Sequence, residues 1–322
     1  MAQVDFSSDS GRSASQAPTP GEFFVDRAFR ALTFASGALV VLLLFYILWK
    51  IGVEAWPAME RYGFGFLTTA VWDPSRESFG VLAEIWGTIY SSLLALVLAG
   101  FFGVAVAIFL TQDFLEPRLA RVFRVIVEML ASIPSVVFGL WGIYVVIPAL
   151  RPIANWLNAN FDWIPLFSTS LSGPGMAPAV IVLAIMVLPT VAAISQDAFT
   201  LIPYKVKEAA YGMGTTKWEA IIKVMMPTAS SGIFASLVLG FGRALGETMA
   251  LAMLIGNSNQ ISLSLFSPAN TLASLLASQF PEANGIEVQA LMYAAIVLLL
   301  ISLAVNVVGT VIMAFSAKQT VS

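Results

Sequence analysis

The sequence predicts an all-α integral membrane protein with six transmembrane helices, and two observations support that prediction. Of the 322 residues, 58% are hydrophobic and 11% are charged, whereas a soluble domain carries far more charge on its surface. A hydrocarbon core about 30 Å thick is crossed by about 20 apolar residues in a helix, and several stretches of the chain reach that length. Two soluble domains would fit the chain length, but runs this long exclude them.

The six spans follow a polar N-terminal segment. Its composition, rich in Ser, Gln, Pro and Ala, is typical of disorder, so we expect a disordered cytoplasmic tail over residues 1–30. The first apolar run is too long, and starts too late, for a signal peptide. We expect a transmembrane domain over residues 31–315 and a short cytoplasmic tail over residues 316–322. The predicted spans are about Ala31–Trp49, Val81–Thr111, Val125–Ile147, Pro178–Phe199, Ser231–Gly256 and Val288–Phe315.

The distribution of Lys and Arg predicts the orientation, because cytoplasmic loops carry an excess of both residues. With six spans, one side of the membrane receives most of them, and the loop over residues 257–287 receives none. Both termini of this multi-pass protein are therefore predicted to be cytoplasmic. The residues on the predicted cytoplasmic side are Arg12, Arg27, Arg30, Arg118, Arg121, Arg124, Lys205, Lys207, Lys217, Lys223 and Lys318.

The chain contains no Cys and no His, which removes disulfides, Cys/His metal sites and any histidine acting as an acid or base. No nucleophile elbow, Walker-type loop or dinucleotide-binding glycine loop occurs, although covalent catalysis by Ser, Thr or Lys stays formally open. The net charge of −3 comes with no basic patch suited to nucleic acid. We expect a chain without catalysis, cofactor or metal, driven by a partner or an ion gradient.

The cytoplasmic segment over residues 203–227 has the pattern of two short helices. Pro203 suits a helix start, and Gly212 and Gly214 supply a helix stop. Thr216 and Glu219 have the spacing of a capping box, which predicts that a second helix begins there.

The second helix of this segment is predicted to be amphipathic and to end at Pro227. Its apolar residues are expected on one face. By composition alone, the segment could equally be a connector lying on the lipid surface. The apolar residues are Trp218, Ile221, Ile222 and Met225.

The detailed pattern favours a different interpretation. Glu208-Ala209-Ala210 is followed by Gly214 and then by Val224, Met226 and Pro227, which closely resembles the EAA loop of ABC importer permeases. In that family the loop docks into a cleft of the cytoplasmic ATPase. The resemblance implies that Glu208, Ala209, Ala210, Gly214 and Pro227 form an ATPase coupling site.

A wider resemblance covers residues 35–315. The segments that carry it are Trp56-Pro57 through Trp72-Asp73, Ala131-Ser132-Ile133-Pro134-Ser135, Gly139-Leu140-Trp141-Gly142, Tyr211-Gly212-Met213-Gly214, Thr216-Lys217-Trp218-Glu219 and Gly242-Arg243-Ala244-Leu245-Gly246-Glu247-Thr248-Met249. They resemble the phosphate-specific ABC importer permeases of the PstC type.

That resemblance implies a type I ABC importer permease (MetI-like) fold in a bacterial inner membrane, with inorganic phosphate as the substrate. It also implies a homologous PstA-type permease partner, a PstB-type ATPase dimer that binds ATP and Mg, and an external phosphate-binding protein. This chain would bind no cofactor and would contact membrane lipid but no nucleic acid.

Arg243 and Glu247 fall near the middle of the fifth predicted span, where ionisable residues are costly and face a bundle interior or cavity. Their spacing places both on one helical face, and Gly242 with Gly246 gives a small-xxx-small pattern for close helix packing. One hypothesis is a buried ion pair that only fixes packing. The other is a substrate pathway in which Arg243 contacts phosphate while Glu247 orients it and weakens anion retention. In phosphate permeases that this chain resembles, the matching pair is regarded as important for transport.

Three other functions stay open from the residues. A permease for another oxyanion, such as molybdate or sulfate, belongs to the same class. A secondary carrier would use Arg243 and Glu247 as its coupling site, but it has no use for the EAA pattern. A membrane enzyme lacks a convincing catalytic set. Co-purification of an ATPase separates the importer from the carrier.

Overall fold

The computed structural model describes residues 20–319. Within this part of the chain, six helices are long and apolar enough to cross a membrane, which confirms the predicted number and the helical class. They cover Phe23–Tyr62, Leu82–Thr111, Ser135–Phe161, Met176–Thr200, Lys217–Leu245 and Ile286–Met313.

The chain divides between Val53 and Glu54 into two compact units, and the described part of the first is helical throughout. Its helix, α1, begins at Pro20 and continues to Tyr62. Between Phe23 and Val53 nearly every large apolar side chain is exposed, as a lipid-facing helix requires. Residues 20–30 of the expected tail are therefore helical, and residues 1–19 lie outside the described part of the chain.

The second unit begins with the last turns of α1 and a small hairpin. Helix α2 (Gly65–Thr68) and the antiparallel strands β1 (Trp72–Asp73) and β2 (Ser78–Phe79) precede helix α3 (Leu82–Thr111). The helices that follow are α4 (Pro117–Leu130), α5 (Ser135–Trp141), α6 (Ile147–Phe161), α7 (Met176–Thr200), α8 (Tyr204–Gly212), α9 (Lys217–Ala220), α10 (Met226–Leu245), α11 (Met249–Leu254), α12 (Leu272–Gln279) and α13 (Ile286–Gln319).

The third span differs from the prediction, which placed it at Val125–Ile147. Helix α4 ends at Leu130, and the span is formed instead by α5 and α6, joined by a π turn over Gly142–Val146. The break has a local cause: Pro134, with ψ at 140°, stands directly before α5. A proline has no N–H to donate and disfavours helical conformation in the residue before it.

The fifth span also differs from the predicted Ser231–Gly256. A π turn over Ile221–Met225 joins α9 to α10, so the helical path is continuous from Lys217 to Leu245. Pro227 therefore does not end the second helix of the segment over residues 203–227, and that prediction was wrong. A regular α-helix would place the proline ring against the carbonyl four residues earlier, whereas the π turn shifts the hydrogen bonds directly ahead of it.

Helix α7 is the central helix of the second unit. In the most apolar stretch of this helix 61% of the residues are buried, which is the largest share among the six spans of the described chain. A buried hydrogen bond of 2.9 Å joins Ser195 Oγ of α7 to Ser236 Oγ of α10. Gly240 permits close approach of the same two helices, because a Cβ there would lie 2.9 Å from Val191 Cγ2.

Candidate functional site

The segment over residues 203–227 contains the predicted pair of helices, α8 and α9. Helix α8 begins directly after Pro203 and ends at Gly212. Gly214 has a φ of +81°, in the left-handed region where only glycine is unstrained. The capping box is present: Glu219 N donates to Thr216 Oγ1 at 3.3 Å, and Thr216 N donates to Glu219 Oε2 at 3.0 Å.

The helix pair is anchored to the end of α3. Lys217 Nζ donates to the carbonyl oxygen of Asp113 at 2.7 Å and lies 4.1 Å from the ring centroid of Phe114. The Trp218 ring packs against the same phenylalanine, with 5.6 Å between centroids. This arrangement combines a hydrogen bond, a cation–π contact and apolar packing, so the pair has a fixed position relative to the transmembrane helices.

The predicted coupling residues divide by exposure. Glu208, Ala209, Gly214 and Pro227 are exposed, as a docking surface requires. Ala210 is only 1% exposed and belongs to the apolar cluster beneath the pair. The small side chain of Ala210 therefore packs within this chain.

The four apolar residues predicted to share one face, one in α9 and three in the π turn that follows it, differ in burial. Ile221 and Met225 are fully buried, whereas Trp218 and Ile222 are 60% and 57% exposed. Ile221 and Met225 therefore form a buried pair, and Trp218 and Ile222 an exposed one.

Exposed apolar side chains on the outer surface of α8 extend the candidate docking surface beyond the residues predicted from sequence. Tyr204 and Met213 flank the helix and are strongly exposed, and Tyr211 is partly so. Exposed aromatic and methionine side chains are typical of protein interfaces. Tyr211 and Met213 lie inside the matched motif, so their residue types were an available signal.

Arg243 and Glu247 do not lie on one helical face, and this prediction was wrong. Arg243 lies in the last turn of α10, which ends at Leu245, and Glu247 lies in the break before α11. The ion pairs found among the described residues do not join these two side chains.

Each charged side chain has a different partner. Arg243 is exposed, and its Nη1 donates to Thr190 Oγ1 of α7 at 3.5 Å. Glu247 Oε1 accepts the backbone N–H of Ala250 at 3.4 Å. The carboxylate therefore caps the first turn of α11, a position where a negative charge is favourable.

The glycines around Arg243 contribute unequally to packing. A Cβ at Gly242 would lie 3.4 Å from Asn306 Oδ1 of α13, whereas a Cβ at Gly246 would meet only the backbone of its own segment. Gly240 makes the close approach to α7. The glycines that pack closely are thus Gly240, against α7, and Gly242, against α13 on nearly the opposite side of α10, rather than the expected Gly242 with Gly246.

Helix α11 is held in place by buried side chains and by backbone hydrogen bonds to the segments that contain Gly175 and Ala269. Leu251 and Leu254 are buried. The N–H of Gly175 donates to the carbonyl oxygen of Leu254 at 2.8 Å, and the N–H of Ala269 donates to the carbonyl oxygen of Ile255 at 2.9 Å. The break at Glu247 is therefore fixed by long-range contacts that no local pattern reveals.

Sequence reasoning also missed Glu84, in the first turn of α3. Its side chain is fully buried, and within the described residues neither carboxylate oxygen has a hydrogen-bond partner. One turn later, Thr88 Oγ1 accepts the N–H of Leu272 at 2.9 Å. A lone carboxylate at the start of an apolar span was the available signal, since such residues are costly there.

Comparisons with known proteins agree with this architecture. The family model described as "Binding-protein-dependent transport system inner membrane component" matches residues 103–321. The phosphate transport system permease protein PstC of Mesorhizobium japonicum is 41% identical over 266 residues, which is 81% of this chain and 81% of that protein.

Two solved structures show the fold. A bacterial ABC transporter involved in the import of the acidic polysaccharide alginate aligns with a TM-score of 0.62 at 15% identity, over 90% of this chain and 96% of that chain. The inward-facing MetNI methionine ABC transporter aligns with a TM-score of 0.54 at 18% identity, over 73% of this chain and 95% of that chain. The expected MetI-like fold of ABC importer permeases is thus confirmed. Because the family model covers more than half of its residues, the chain belongs to the family of binding-protein-dependent transport system inner membrane components.

Proposed function

We propose that this chain is the permease subunit of an ATP-driven importer of inorganic phosphate in a bacterial inner membrane, with both termini cytoplasmic. The relative from Mesorhizobium japonicum, a phosphate transport permease at 41% identity, supports the substrate. The chain supplies half of a translocation pathway and has no catalysis of its own. A PstA-type permease supplies the other half, a PstB-type ATPase dimer binds ATP and Mg, and an external binding protein delivers phosphate.

One observation carries the coupling mechanism: a continuous helical path joins the helix pair to Arg243. The path from Lys217 to Leu245 has 29 residues, about 43 Å at 1.5 Å per residue. The helix pair lies at one end of this path and Arg243 in its last turn. A displacement imposed on the pair by an ATPase is therefore passed to the arginine without an intervening loop.

The chemistry of Arg243 fits an oxyanion. A guanidinium keeps its positive charge and presents a planar set of donors that matches phosphate oxygens. Its hydrogen bond to Thr190 is long, at 3.5 Å, and the side chain is exposed. Donors therefore remain for a passing anion, and Glu247 does not neutralise the positive charge through an ion pair.

Glu247 acts on this pathway indirectly. By capping α11 it fixes the direction in which the chain leaves the end of α10, and so it positions Arg243.

The test is transport by the complete complex in proteoliposomes. Uptake and ATP hydrolysis are measured in the presence of the external binding protein, first with phosphate as the substrate and then with sulfate or molybdate. We expect ATP-dependent accumulation of phosphate alone. Accumulation of another oxyanion in preference to phosphate would refute the substrate, and uptake driven by an ion gradient without ATP would refute the class.

A further inference from the structure

Helix α4 lies outside the transmembrane spans. Its 14 residues extend about 21 Å, short of the roughly 30 Å that a hydrocarbon core requires, and the next span begins only at Ser135. The helix starts at Pro117, soon after Phe114, whose ring packs against Trp218 of the helix pair. It is therefore on the same side of the membrane as the helix pair.

The surface of α4 is divided between apolar and basic residues. None of its residues is buried in this chain. On one side of the helix, Val122, Ile126 and Met129 are about half exposed or more, with Met129 at 63%. Arginine recurs at every third position on the adjacent side, at Arg118, Arg121 and Arg124.

The arginines of α4 carry uncompensated charge. Among the described residues, none of the three forms an ion pair, and neither does Glu128, the one acidic residue of the helix. Arg121 Nε reaches only the carbonyl of Pro117, at 3.5 Å. Arg124 Nε is buried and has no hydrogen-bond partner among the described residues. The exposed guanidinium groups of Arg118 and Arg121, and the exposed part of Arg124, are open to an anionic partner from outside the chain.

The combination of both faces identifies the partner. A water-facing helix would leave a row of apolar side chains exposed, and a span would bury three unpaired arginines. A helix lying in the membrane interface satisfies both, because acyl chains cover its apolar side while headgroup phosphates accept from its arginines. We propose that α4 is an interfacial helix that binds anionic phospholipid headgroups of the cytoplasmic leaflet through Arg118, Arg121 and Arg124.

The depth of α4 tests the apolar half of this proposal. Because the chain has no Cys, single cysteines at Val122, Ile126 and Glu128 can carry nitroxide labels in the complete complex. In nanodiscs containing phosphatidylglycerol, labels at Val122 and Ile126 should collide with oxygen more than with a water-soluble nickel chelate, and Glu128 should show the reverse. Leu43 and Asn284 serve as lipid and water references. Labels at Val122 and Ile126 that are shielded from both reagents, or open to the chelate, would overturn the proposal.

The charge of α4 tests the other half. The variant R118Q/R121Q/R124Q should retain severalfold less phosphatidylglycerol, relative to phosphatidylcholine, by native mass spectrometry of the assembled complex. R118K/R121K/R124K keeps the positive charge and should retain most of the phosphatidylglycerol. Glu128→Gln removes the opposing charge and should raise retention.

Unchanged retention in the glutamine variant would contradict the proposal. If that variant does not assemble, the other two variants test the proposal. Loss of phosphatidylglycerol from the lysine variant, or unchanged retention in Glu128→Gln, would contradict the proposal equally.

Discussion

Arg243 and Glu247 flank the end of one helix and are not paired: the arginine donates to Thr190, and the glutamate accepts from the N–H of Ala250. The two residues, whose spacing of four predicted a charge pair, thus have separate roles. The arginine is free to meet an anion, and the glutamate fixes the chain direction beyond it. The two substitutions therefore have different expected consequences.

Removing the charge of Arg243 should abolish most transport. We expect Arg243→Gln to lower phosphate uptake roughly tenfold or more, because a hydrogen bond to a charged group contributes about 1.5–3 kcal/mol. Arg243→Lys should keep part of the activity, since it retains charge without the planar fork. Uptake is measured in proteoliposomes containing equal amounts of assembled complex. Thr190→Val is the control and should change uptake little. If Thr190→Val lowered uptake as much as Arg243→Gln, the Arg243–Thr190 contact would be purely structural.

Glu247 should tolerate loss of its charge better than loss of its acceptor. Glu247→Gln keeps an oxygen for the N–H of Ala250, whereas Glu247→Ala removes the cap at a cost of about 1 kcal/mol. We expect the alanine variant alone to lower the midpoint of thermal unfolding, together with its uptake. Equal loss of uptake in both variants, with unchanged unfolding, would instead indicate that the carboxylate charge acts on the anion or on Arg243.

Gly214 and Gly212 provide a matched pair in the helix pair. A Cβ meets no other atom within 4 Å at either position, but only Gly214 has a positive φ, +81°. Gly214→Ala should therefore cost about 1 kcal/mol of local stability and weaken association with the ATPase. Gly212→Ala should have little effect on association, which is measured by co-purification and by ATP hydrolysis. Similar behaviour of both variants would show that the backbone turn is unimportant for docking.

Glu84 should be dispensable for stability. Replacing it by Met keeps the size and removes two unsatisfied buried oxygens, which should raise the free energy of unfolding by about 1 kcal/mol or more. Thr88→Val is the contrasting variant, because it breaks the 2.9 Å bond from the N–H of Leu272 and should be destabilising. A stabilised Glu84→Met with reduced uptake would assign the carboxyl a function, and a destabilised one would reveal an unseen partner.

Local patterns predicted the helix pair closely. The capping box of Thr216 and Glu219 and the helix stop at Gly214 depend on residues a few positions apart, so residue spacing alone was enough to predict both. The buried position of Ala210 could not be predicted in this way, because its apolar cluster includes Ala107 of α3 and Phe199 of α7, which are distant in the sequence. Packing with distant segments decides which side chains of the pair are buried and which can meet a partner.

The sequence by itself determined the membrane class, the number of spans and the two-helix segment over residues 203–227, because hydropathy and capping are properties of neighbouring residues. Only the structure decided where helices continue and where they end. Pro227 does not stop its helix because a π turn precedes it, and Pro134 separates α4 from the third span. Arg243 and Glu247 are separated because buried contacts fix α11 beyond Leu245. The break at Pro134 has a local cause, whereas the separation of Arg243 and Glu247 depends on packing between distant segments, which residue spacing does not encode.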